Sequence, residues 1–475
     1  MTETSGSRRV VIVGGGFAGL FAARALSDAP VQVSLIDRAE HHLFQPLLYQ
    51  CATGILSEGK IAMPLRQLLK KHRNVEFVLA EATGIDVAGR TVQAQPPLGE
   101  PIELGYDFLI LAAGVQQSYF GHEEYAAFAP GMKTIEDALK IRRRVFGSFE
   151  RAESTDDPAE RARWLTFALV GAGPTGVELA GQIREVATKT LQREYRRIQP
   201  EDAKVLLFDG GSAPLSTFGP HLSALAAREL ATLGVELHMG TMVTHVDENG
   251  LEVRDHQGTV TRYEAGNVFW TAGVAAPPLA KAVAEATGAQ QDRTGRLVCG
   301  PDLSLPGHPE ILVTGDIMSL GKLPGVAEVA MQTGLYAGHR ISREAQGQAH
   351  DEPFQYRDFG SAAYISRGRA VVSAFGMHFG GFPGWLVWLF IHIGFLTGYR
   401  NRVGAIMSWW FAFTRDLRRE RTYTIGDAPA SAGFYRGSPA SSAEPAATRE
   451  VPRQAAAPAP EGSPTGEPAT KPRSG

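Results

Sequence analysis

The sequence predicts an α/β protein with two doubly wound, Rossmann-like domains and a separate C-terminal region. Apolar strands and helical stretches alternate from the N-terminus to about residue 345, as they do when helices cover a parallel sheet. A strand, a Gly-rich turn and a helix recur in that order, at Gly14 and again at Gly171. Two intensely apolar, aromatic-rich segments then follow beyond residue 381 and do not continue this alternation.

The composition limits the classes of function. A chain of 475 residues can form two or three domains with well-buried cores, and a net charge of -3 gives no reason to expect a nucleic-acid partner. The two cysteines, Cys51 and Cys299, form no CxxC pattern, so we exclude a thiol–disulfide relay and predict no metal site. The N-terminus carries no apolar run, and we therefore expect a protein that is not secreted.

The first Gly-rich turn follows an apolar strand at residues 9–13 and matches the G-x-G-x-x-G pattern. Gly14 permits the tight turn, Gly16 lets the backbone approach a pyrophosphate, and Gly19 lets the helix pack on the strand. The helix N-terminus then offers free N–H groups to phosphates. The next strand ends in Asp37, whose carboxylate can accept hydrogen bonds from adenosine ribose hydroxyls. The alternative is a Gly-rich turn with a solvent-facing aspartate.

Two later segments favour FAD over NAD at this first site. Residues 106–114 form an apolar strand that ends in a small-residue turn at Ala113 and Gly114. Residues 311–316 form another strand that ends in Gly315 and Asp316. In FAD proteins of this architecture such an aspartate binds the ribityl chain, and the next helix points its N-terminus at the flavin. The alternative role for Asp316 is the N-cap of that helix, and the two roles can hold together.

The second Gly-rich turn repeats the fingerprint after an apolar strand at residues 165–170. Its residues are Gly171, Ala172, Gly173, Pro174, Thr175 and Gly176. The following strand ends in Asp209, which suits a free ribose 2′-OH, and no arginine nearby could receive a 2′-phosphate. We therefore predict NADH rather than NADPH. Glu178 either lines the nicotinamide side or complements the dipole at the start of its helix.

The aromatic C-terminal segments indicate a membrane-associating region. The apolar runs at residues 382–399 and 403–413 are too short for a transmembrane helix, so two helices lying in one leaflet fit better. Aromatic residues and arginines would meet the interface and the headgroups; they are Trp385, Trp388, Tyr399, Trp409, Trp410, Arg400, Arg402, Arg415, Arg418, Arg419 and Arg421. A core or homodimer contact is the alternative. Residues 426–475 have almost no large apolar side chains, which predicts a disordered tail.

Several motifs together make the chain resemble the type II NADH dehydrogenases over about residues 8–425. These single-subunit NADH:quinone oxidoreductases attach to one face of a membrane. The most specific stretch is HHLFQPLLYQ at residues 41–50, followed by Ala52, Thr53 and Gly54, which in the family runs along the flavin. Tyr399–Arg402 resembles the anchoring region, and residues 358–361 also fit.

The resemblance implies hydride transfer from NADH to FAD and two-electron reduction of a quinone, menaquinone or ubiquinone, without proton pumping. It implies a peripheral protein on the cytoplasmic side of the cell membrane, and we expect a homodimer. The implied FAD residues are Gly14, Gly16, Phe17, Ala18, Gly19, Asp37, Arg38, Gln45, Thr53, Gly54, Ala113, Gly114, Gly315, Asp316 and Ala327. The implied NADH residues are Gly171, Gly173, Pro174, Thr175, Gly176, Asp209 and Gly273.

The predicted domains follow from this pattern. The FAD-binding domain is discontinuous and comprises residues 8–117 and 285–345, with the NADH-binding domain at 118–284 between them. Residues 346–425 then form C-terminal strands and amphipathic membrane-anchoring helices, ahead of the tail.

One motif departs from the family. The family usually carries Ala-Gln at the start of the helix after the flavin-binding aspartate, with a second Gln four residues on. Here Ala327 is followed by Glu328, and only Gln332 matches. Because this position is implied to meet both flavin and quinone, Glu328 either donates a proton or stays protonated and mimics the amide. We take Glu328, Gln332 and Glu178 as the candidate catalytic residues.

The departure leaves other functions open. A related NADH-dependent flavoprotein could use another electron acceptor, and an NADH-responsive redox sensor would signal without turnover. A sulfide:quinone oxidoreductase would need paired redox cysteines beside the flavin. Cys51 lies in the flavin-lining stretch without an evident partner, so we interpret it as a small buried hydrophobic residue.

Overall fold

The computed structural model describes residues 7–348, 352–374 and 376–423, so the predicted tail lies outside the described residues. The strands are β1 Arg8–Val13, β2 Val31–Asp37, β3 His41–Leu43, β4 Ala62–Pro64, β5 Val75–Leu79, β6 Glu81–Asp86, β7 Thr91–Gln95, β8 Ile102–Gly105, β9 Phe108–Leu111, β10 Gln116–Gln117, β11 Thr166–Val170, β12 Lys204–Asp209, β13 Val235–Met239, β14 Met242–Asp247, β15 Gly250–Arg254, β16 Val260–Glu264, β17 Asn267–Trp270, β18 Val274–Ala275, β19 Leu297–Val298, β20 Ser304–Leu305, β21 His308–Val313, β22 Met318–Ser319, β23 Ser361–Ser366, β24 Arg369–Ala374 and β25 Met377–Gly380. The α-helices are α1 Phe17–Ala25, α2 Leu48–Ala52, α3 Glu58–Ile61, α4 Leu65–Leu69, α5 Ile135–Ser154, α6 Pro158–Trp164, α7 Pro174–Glu185, α8 Pro220–Leu233, α9 Pro278–Thr287, α10 Ala327–Ala345, α11 Gly381–Phe395 and α12 Tyr399–Arg415.

The first sheet has the strand order β20-β21-β9-β1-β2-β5. All its neighbours pair in parallel except β20 and β21, because the connections are helical or long crossovers. Strand β21 comes from far along the chain and pairs with β9, as the discontinuous pattern predicts. Helices α1 and α10 cross closely on one face, where a Cβ at Gly334 would lie 2.1 Å from the Ala18 carbonyl oxygen.

The second sheet repeats this plan with the parallel order β13-β12-β11-β17. Each unit also carries a three-stranded antiparallel sheet, β6–β8 ahead of β9 in the first unit and β14–β16 ahead of β17 in the second. These two small sheets interrupt the simple alternation that the sequence predicted. Helix α9 spans the boundary predicted at 284/285, and its buried residues Leu279, Ala280 and Val283 join the apolar core under the first sheet.

The C-terminal region consists of the antiparallel sheet β23–β25 and the helices α11 and α12. Strand β23 packs on α7 so closely that a Cβ at Gly181 would lie 1.9 Å from the Ile365 carbonyl oxygen. The two helices fall where the two apolar runs predicted them. Within the described part of the chain, no helix combines the length and the hydropathy needed to cross a membrane.

Two details of the predicted membrane interface are wrong. Trp388 is fully buried and Trp409 is 3% exposed, because both pack inward against the core and against each other. Arg418 is also buried and forms an ion pair with Glu185, so it cannot meet headgroups. The remaining exposed aromatic residues of this set include Tyr399 and Trp410.

Candidate functional site

The first Gly-rich turn connects β1 to α1 at the carboxyl end of the first sheet. Gly14 has φ +108°, which favours glycine, and a Cβ there would lie 2.3 Å from the Ala112 carbonyl oxygen. A Cβ at Gly19 would lie 1.8 Å from the Gly14 carbonyl oxygen, so the helix can pack only on glycine. A Cβ at Gly16 would meet no atom within 4 Å. The turn therefore leaves open space at the position where a pyrophosphate would approach.

Asp37 closes this turn from the end of β2. Its Oδ2 accepts a hydrogen bond from the backbone N–H of Gly15 at 2.5 Å, and its Oδ1 accepts one from Ala39 at 2.7 Å. Burial raises the pKa of its carboxyl group, and both backbone hydrogen bonds oppose that shift. Arg38 is exposed, and its Nη1 lies 3.6 Å from Glu81 Oε1.

The stretch at residues 41–54 runs from the Gly-rich turn into the interior. His42 is 1% exposed, and its Nδ1 lies 3.1 Å from the Gly15 carbonyl oxygen. Burial lowers the pKa of His42 to about 4, so the ring is neutral. The ring of Phe17 meets His42 and Phe44 edge-on. Farther along, the fully buried Thr53 donates to the Tyr49 carbonyl oxygen at 2.9 Å.

A second wall of the first site comes from the end of β21. Gly315 has φ +69°, and its N–H donates to the Thr333 hydroxyl at 3.0 Å. Asp316 does not cap α10, since Val326 is the N-cap of that helix and no side chain bonds it. A Cβ at Gly325 would nevertheless lie 3.5 Å from the Asp316 carboxyl carbon, so the helix begins beside this aspartate.

Lys133 faces Asp316 and was not among the residues that the sequence pattern singled out. Burial lowers the pKa of this lysine, while the charge of Asp316 opposes that shift. Burial raises the pKa of Asp316, and Lys133 acts against it. The carbonyl oxygen of Lys133 also accepts a hydrogen bond from the amide of Gln45 at 3.3 Å. The first site thus gathers Gln45, the Gly-Asp turn and this lysine.

The remaining predicted FAD residues are Ala113 and Gly114 after β9, Gly54 after α2, and Ala327 at the start of α10. Gly114, which has φ +66°, and Ala113 lie in the turn that begins after β9 ends at Leu111. Gly54 has φ +76° at the end of the 41–54 stretch, and Ala327 is the first residue of α10.

The second Gly-rich turn has the same geometry as the first. Gly171 has φ +106°, and a Cβ at Gly176 would lie 1.8 Å from its carbonyl oxygen. A Cβ at Gly173 would again meet nothing within 4 Å. Asp209 Oδ2 accepts a hydrogen bond from the Ala172 N–H at 2.7 Å, as Asp37 does in the first turn. The two nucleotide units are therefore structural repeats down to this hydrogen bond.

The other residues of the second fingerprint lie around the same turn. Pro174 begins α7, where its lack of an N–H costs nothing, and Thr175 follows it. Gly273 has φ +73° after β17, and a Cβ there would lie 2.4 Å from the ring of Phe120.

Glu178 lies beyond the first turn of α7, so it does not complement the helix dipole. It is 7% exposed and accepts a hydrogen bond from the Tyr364 N–H at 3.2 Å. Burial raises the pKa of its carboxyl group well above the ordinary value. The carboxyl group therefore keeps its proton to higher pH than an ordinary glutamate, at the contact between α7 and β23.

A buried polar cluster continues from there along α7. Glu185 Oε2 accepts hydrogen bonds from the Gln182 amide at 2.6 Å and from the Tyr364 hydroxyl at 3.1 Å. Its Oε1 accepts one from the Arg367 N–H at 2.7 Å. Arg418 completes the set from the C-terminal segment. No local motif marks this cluster, because Glu185 bonds Tyr364 and Arg367, which lie 179 and 182 residues later in the chain.

Glu328 lies in the first turn of α10 and is half-buried. Its Oε2 accepts a hydrogen bond from the Phe359 N–H at 3.3 Å, and the Tyr356 hydroxyl also bonds the carboxyl group. Burial and the nearby charge of Asp358 raise its pKa. Gln332 lies one turn on, and its amide pairs with the backbone of Arg357 through Nε2 at 2.8 Å and Oε1 at 3.0 Å.

The two cysteines lie in different cores. Cys51 is fully buried beside the aromatic residues under α5, whereas Cys299 belongs to the core under the first sheet. Burial raises the pKa of each thiol to about 12. A redox pair beside the flavin stretch is therefore not formed. Among the described residues, no group of three His, Cys, Asp or Glu side chains could hold a metal ion.

Two repeated dinucleotide-binding units define an oxidoreductase of the pyridine-nucleotide flavoprotein class. Residues 8–334 match the family described as "Pyridine nucleotide-disulphide oxidoreductase". The chain is 48% identical over 418 residues to the type II NADH:quinone oxidoreductase Ndh of Mycobacterium tuberculosis, covering 88% of this chain and 90% of that protein. It is 46% identical to NdhA of the same organism, covering 89% and 91%. The chain belongs to the type II NADH:quinone oxidoreductases.

A solved structure agrees with the fold. The NDH2 of Plasmodium falciparum in complex with NADH superimposes with a TM-score of 0.81, covering 87% of this chain and 99% of that one at 19% identity. This likeness supports the arrangement of the two units and of the C-terminal region.

Proposed function

We propose that this chain oxidises NADH through a bound FAD and passes two electrons to a membrane quinone, without moving protons across the membrane. Membership of the family supports the activity. The two equivalent Gly-rich turns support the binding of two dinucleotides. The first turn fits FAD because three further elements meet it there: the 41–54 stretch, the Gly-Asp turn at 315–316 and the N-terminus of α10.

Different residues would bind the two dinucleotides and stabilise the charge that develops on the flavin. A flavin bound at the first site would accept hydride from NADH and deliver electrons to the quinone. Asp37 and Asp209 would bind the ribose hydroxyls of FAD and NADH, and the backbone at Gly16 and Gly173 would approach the pyrophosphates. The N-terminus of α10, at Ala327, would place positive backbone dipoles where negative charge develops. Thr53 and Gln45 would line the flavin from the opposite wall.

The test is a titration of the purified protein watched at the flavin absorption band. NADH should bleach the band in the absence of oxygen, and a short-chain benzoquinone should restore it at once. Bleaching with no quinone-dependent recovery would contradict the quinone as acceptor and favour an enzyme with another acceptor. A stable bleached complex without turnover would favour an NADH-responsive sensor.

Glu328 is the proposed proton donor for the quinone, since net reduction of a quinone by NADH consumes one proton from solution. Its hydrogen-bonded neighbours Tyr356 and Asp358 connect the half-buried carboxyl group to the exposed surface. Because its pKa is raised, the carboxyl group keeps its proton to higher pH than an ordinary glutamate, and the donor is lost as pH rises through that pKa.

We expect Glu328→Gln to slow flavin reoxidation by quinone by roughly 10²-fold, within the usual contribution of a general acid. The alkaline fall of the reoxidation rate should also disappear, because the titrating group is gone. Bleaching by NADH should be unchanged. Stopped-flow reoxidation across pH measures both. An unaltered reoxidation rate and pH profile would show that Glu328 only mimics the amide of the family.

We also propose that the protein binds the cytoplasmic face of the membrane peripherally, through one face of α11 and α12. Along α11, the exposed residues Phe382, Leu386 and Phe390 recur every four positions, so they share one face. On α12, Tyr399, Val403, Ile406, Met407 and Trp410 form the corresponding exposed stripe. We call these eight residues the apolar face. A homodimer and either menaquinone or ubiquinone as acceptor are part of the same proposal.

A further inference from the structure

Residues 416–423 follow α12 and contact both the 41–54 stretch and α7. We call this segment the C-terminal strap. Arg418 Nη1 donates to the Thr53 carbonyl oxygen at 3.0 Å and to Gln182 Oε1 at 2.8 Å. Its Nη2 lies 3.4 Å from Glu185 Oε2. The side chains of Arg418 and Glu185 are each 5% exposed. One buried guanidinium therefore binds both the flavin-lining stretch and the helix that starts at the second Gly-rich turn.

Two neighbouring residues of the strap, Glu420 and Arg421, also bind the region of the 41–54 stretch and the segment that follows α7. The Glu420 N–H donates to the Gly54 carbonyl oxygen at 3.3 Å, and its carboxylate lies 3.3 Å from Lys60 Nζ. On the other side, Arg421 Nη1 lies 2.7 Å from Glu194 Oε2. A Cβ at Gly54 would lie 3.1 Å from the Glu420 carbonyl oxygen, so the strap is in close contact with this turn.

The direct hydrogen bond between the 41–54 stretch and α7 is longer than the bonds that Arg418 makes to them. The Thr53 hydroxyl lies 3.4 Å from Gln182 Oε1, at the long end of a hydrogen bond. Arg418 bonds both the Thr53 backbone and the same Gln182 oxygen at shorter distances, and its bonds are charge-assisted. The guanidinium thus makes shorter hydrogen bonds to the 41–54 stretch and to α7 than these two segments make directly with each other.

We propose that Arg418 is a positioning residue that sets the distance between the nicotinamide and the flavin for hydride transfer, an inference that rests on the proposed function. In that step the C–H bond of the dihydronicotinamide breaks with its electron pair, NADH is oxidised to NAD⁺ and the bound flavin is reduced. The reacting atoms must be held about 3–3.5 Å apart, and a misplacement of about 1 Å can cost roughly 10²-fold in rate. Arg418 binds the 41–54 stretch, which would lie beside the flavin, and it binds α7, which begins at the turn proposed for NADH.

The experiment compares Arg418→Gln and Arg418→Lys with Arg419→Gln as the control. Arg419 is exposed on the same strap and stacks over the ring of Phe411, away from Glu185. FAD content, NADH affinity and the anaerobic bleaching rate at saturating NADH are measured for each. We expect Arg418→Gln to retain FAD, to keep the NADH dissociation constant within about threefold and to bleach at least about tenfold more slowly. Arg418→Lys should recover part of the rate, and the control should match the wild type.

A second variant controls for misfolding, since Arg418→Gln leaves the buried Glu185 carboxylate without its Arg418 ion pair. The double variant Arg418→Gln/Glu185→Gln removes both charges and should keep the fold while it also bleaches slowly. Wild-type bleaching in either FAD-loaded variant would overturn the proposal. Loss of FAD from both would also overturn it, because the strap would then retain the cofactor rather than position it. If the wild-type protein is itself not bleached by NADH, the proposed function fails instead.

Discussion

Alanine at Gly16 should give a folded protein that lacks FAD, whereas alanine at Gly173 should give a yellow protein that NADH bleaches poorly. Both glycines have extended backbone angles that alanine adopts, with φ of -67° and -71°. Both also have open space around a Cβ, so the apoprotein should tolerate either change. The added methyl group instead occupies the approach of the pyrophosphate, and we expect each dissociation constant to rise at least about tenfold, or about 1.4 kcal/mol.

Flavin absorbance after purification and an NADH titration of bleaching measure the two effects separately. Circular dichroism of both variants is the control for folding. Because the two turns have the same geometry, the comparison assigns each dinucleotide to its turn. If Gly173→Ala lost the flavin while Gly16→Ala kept it, the assignment of FAD to the first turn would be reversed.

The second large effect concerns membrane binding. Glutamate in place of both Phe390 and Trp410, which are 81% and 63% exposed, should release the protein from anionic vesicles. Each loses a large apolar side chain worth about 1.5–3 kcal/mol when buried, so partitioning should fall by at least roughly 10²-fold. Anaerobic bleaching by NADH should be normal, since neither side chain reaches the nucleotide sites.

Vesicle co-sedimentation measures this partitioning. Leu98→Glu is the matched control, because Leu98 is an 89% exposed apolar residue outside the apolar face. The double variant should float free of vesicles while the control sediments with them. Full retention of the double variant on vesicles would exclude the apolar face as the docking surface and would favour a contact between two protein copies.

Local patterns predicted the two strand, Gly-rich turn and helix units well because each unit is local in sequence. A strand, three glycines and an acidic residue at the end of the next strand lie within residues 8–37 in the first unit and 166–209 in the second. Each has a steric or hydrogen-bonding reason to be there. Asp37 and Asp209 each accept a hydrogen bond from the backbone of their own Gly-rich turn, and their binding of a ribose stays a prediction. Helices α11 and α12 were predictable for the same reason.

The parts that were missed depend on contacts between distant residues. Arg418 looked like one more cation flanking an apolar helix, but the fold brings it to a carboxylate more than 200 residues away. Trp388 and Trp409 have the composition of interface residues, yet the helix phase turns them inward. Lys133 carries no motif, and only the closure of the first sheet by β21 brings Asp316 to it.

The pairing of β21 with β9 also has a consequence for synthesis on the ribosome. Thr314 N–H bonds the carbonyl oxygen of Leu111, 203 residues earlier in the chain. At about 5–20 residues per second, β9 waits roughly 10–40 s for its neighbour, with one edge of its backbone unpaired. The nascent second unit can finish first, because its four parallel strands lie within residues 166–270. The unit that begins the chain is therefore among the last to close, and flavin can be captured only after most of the protein has been made.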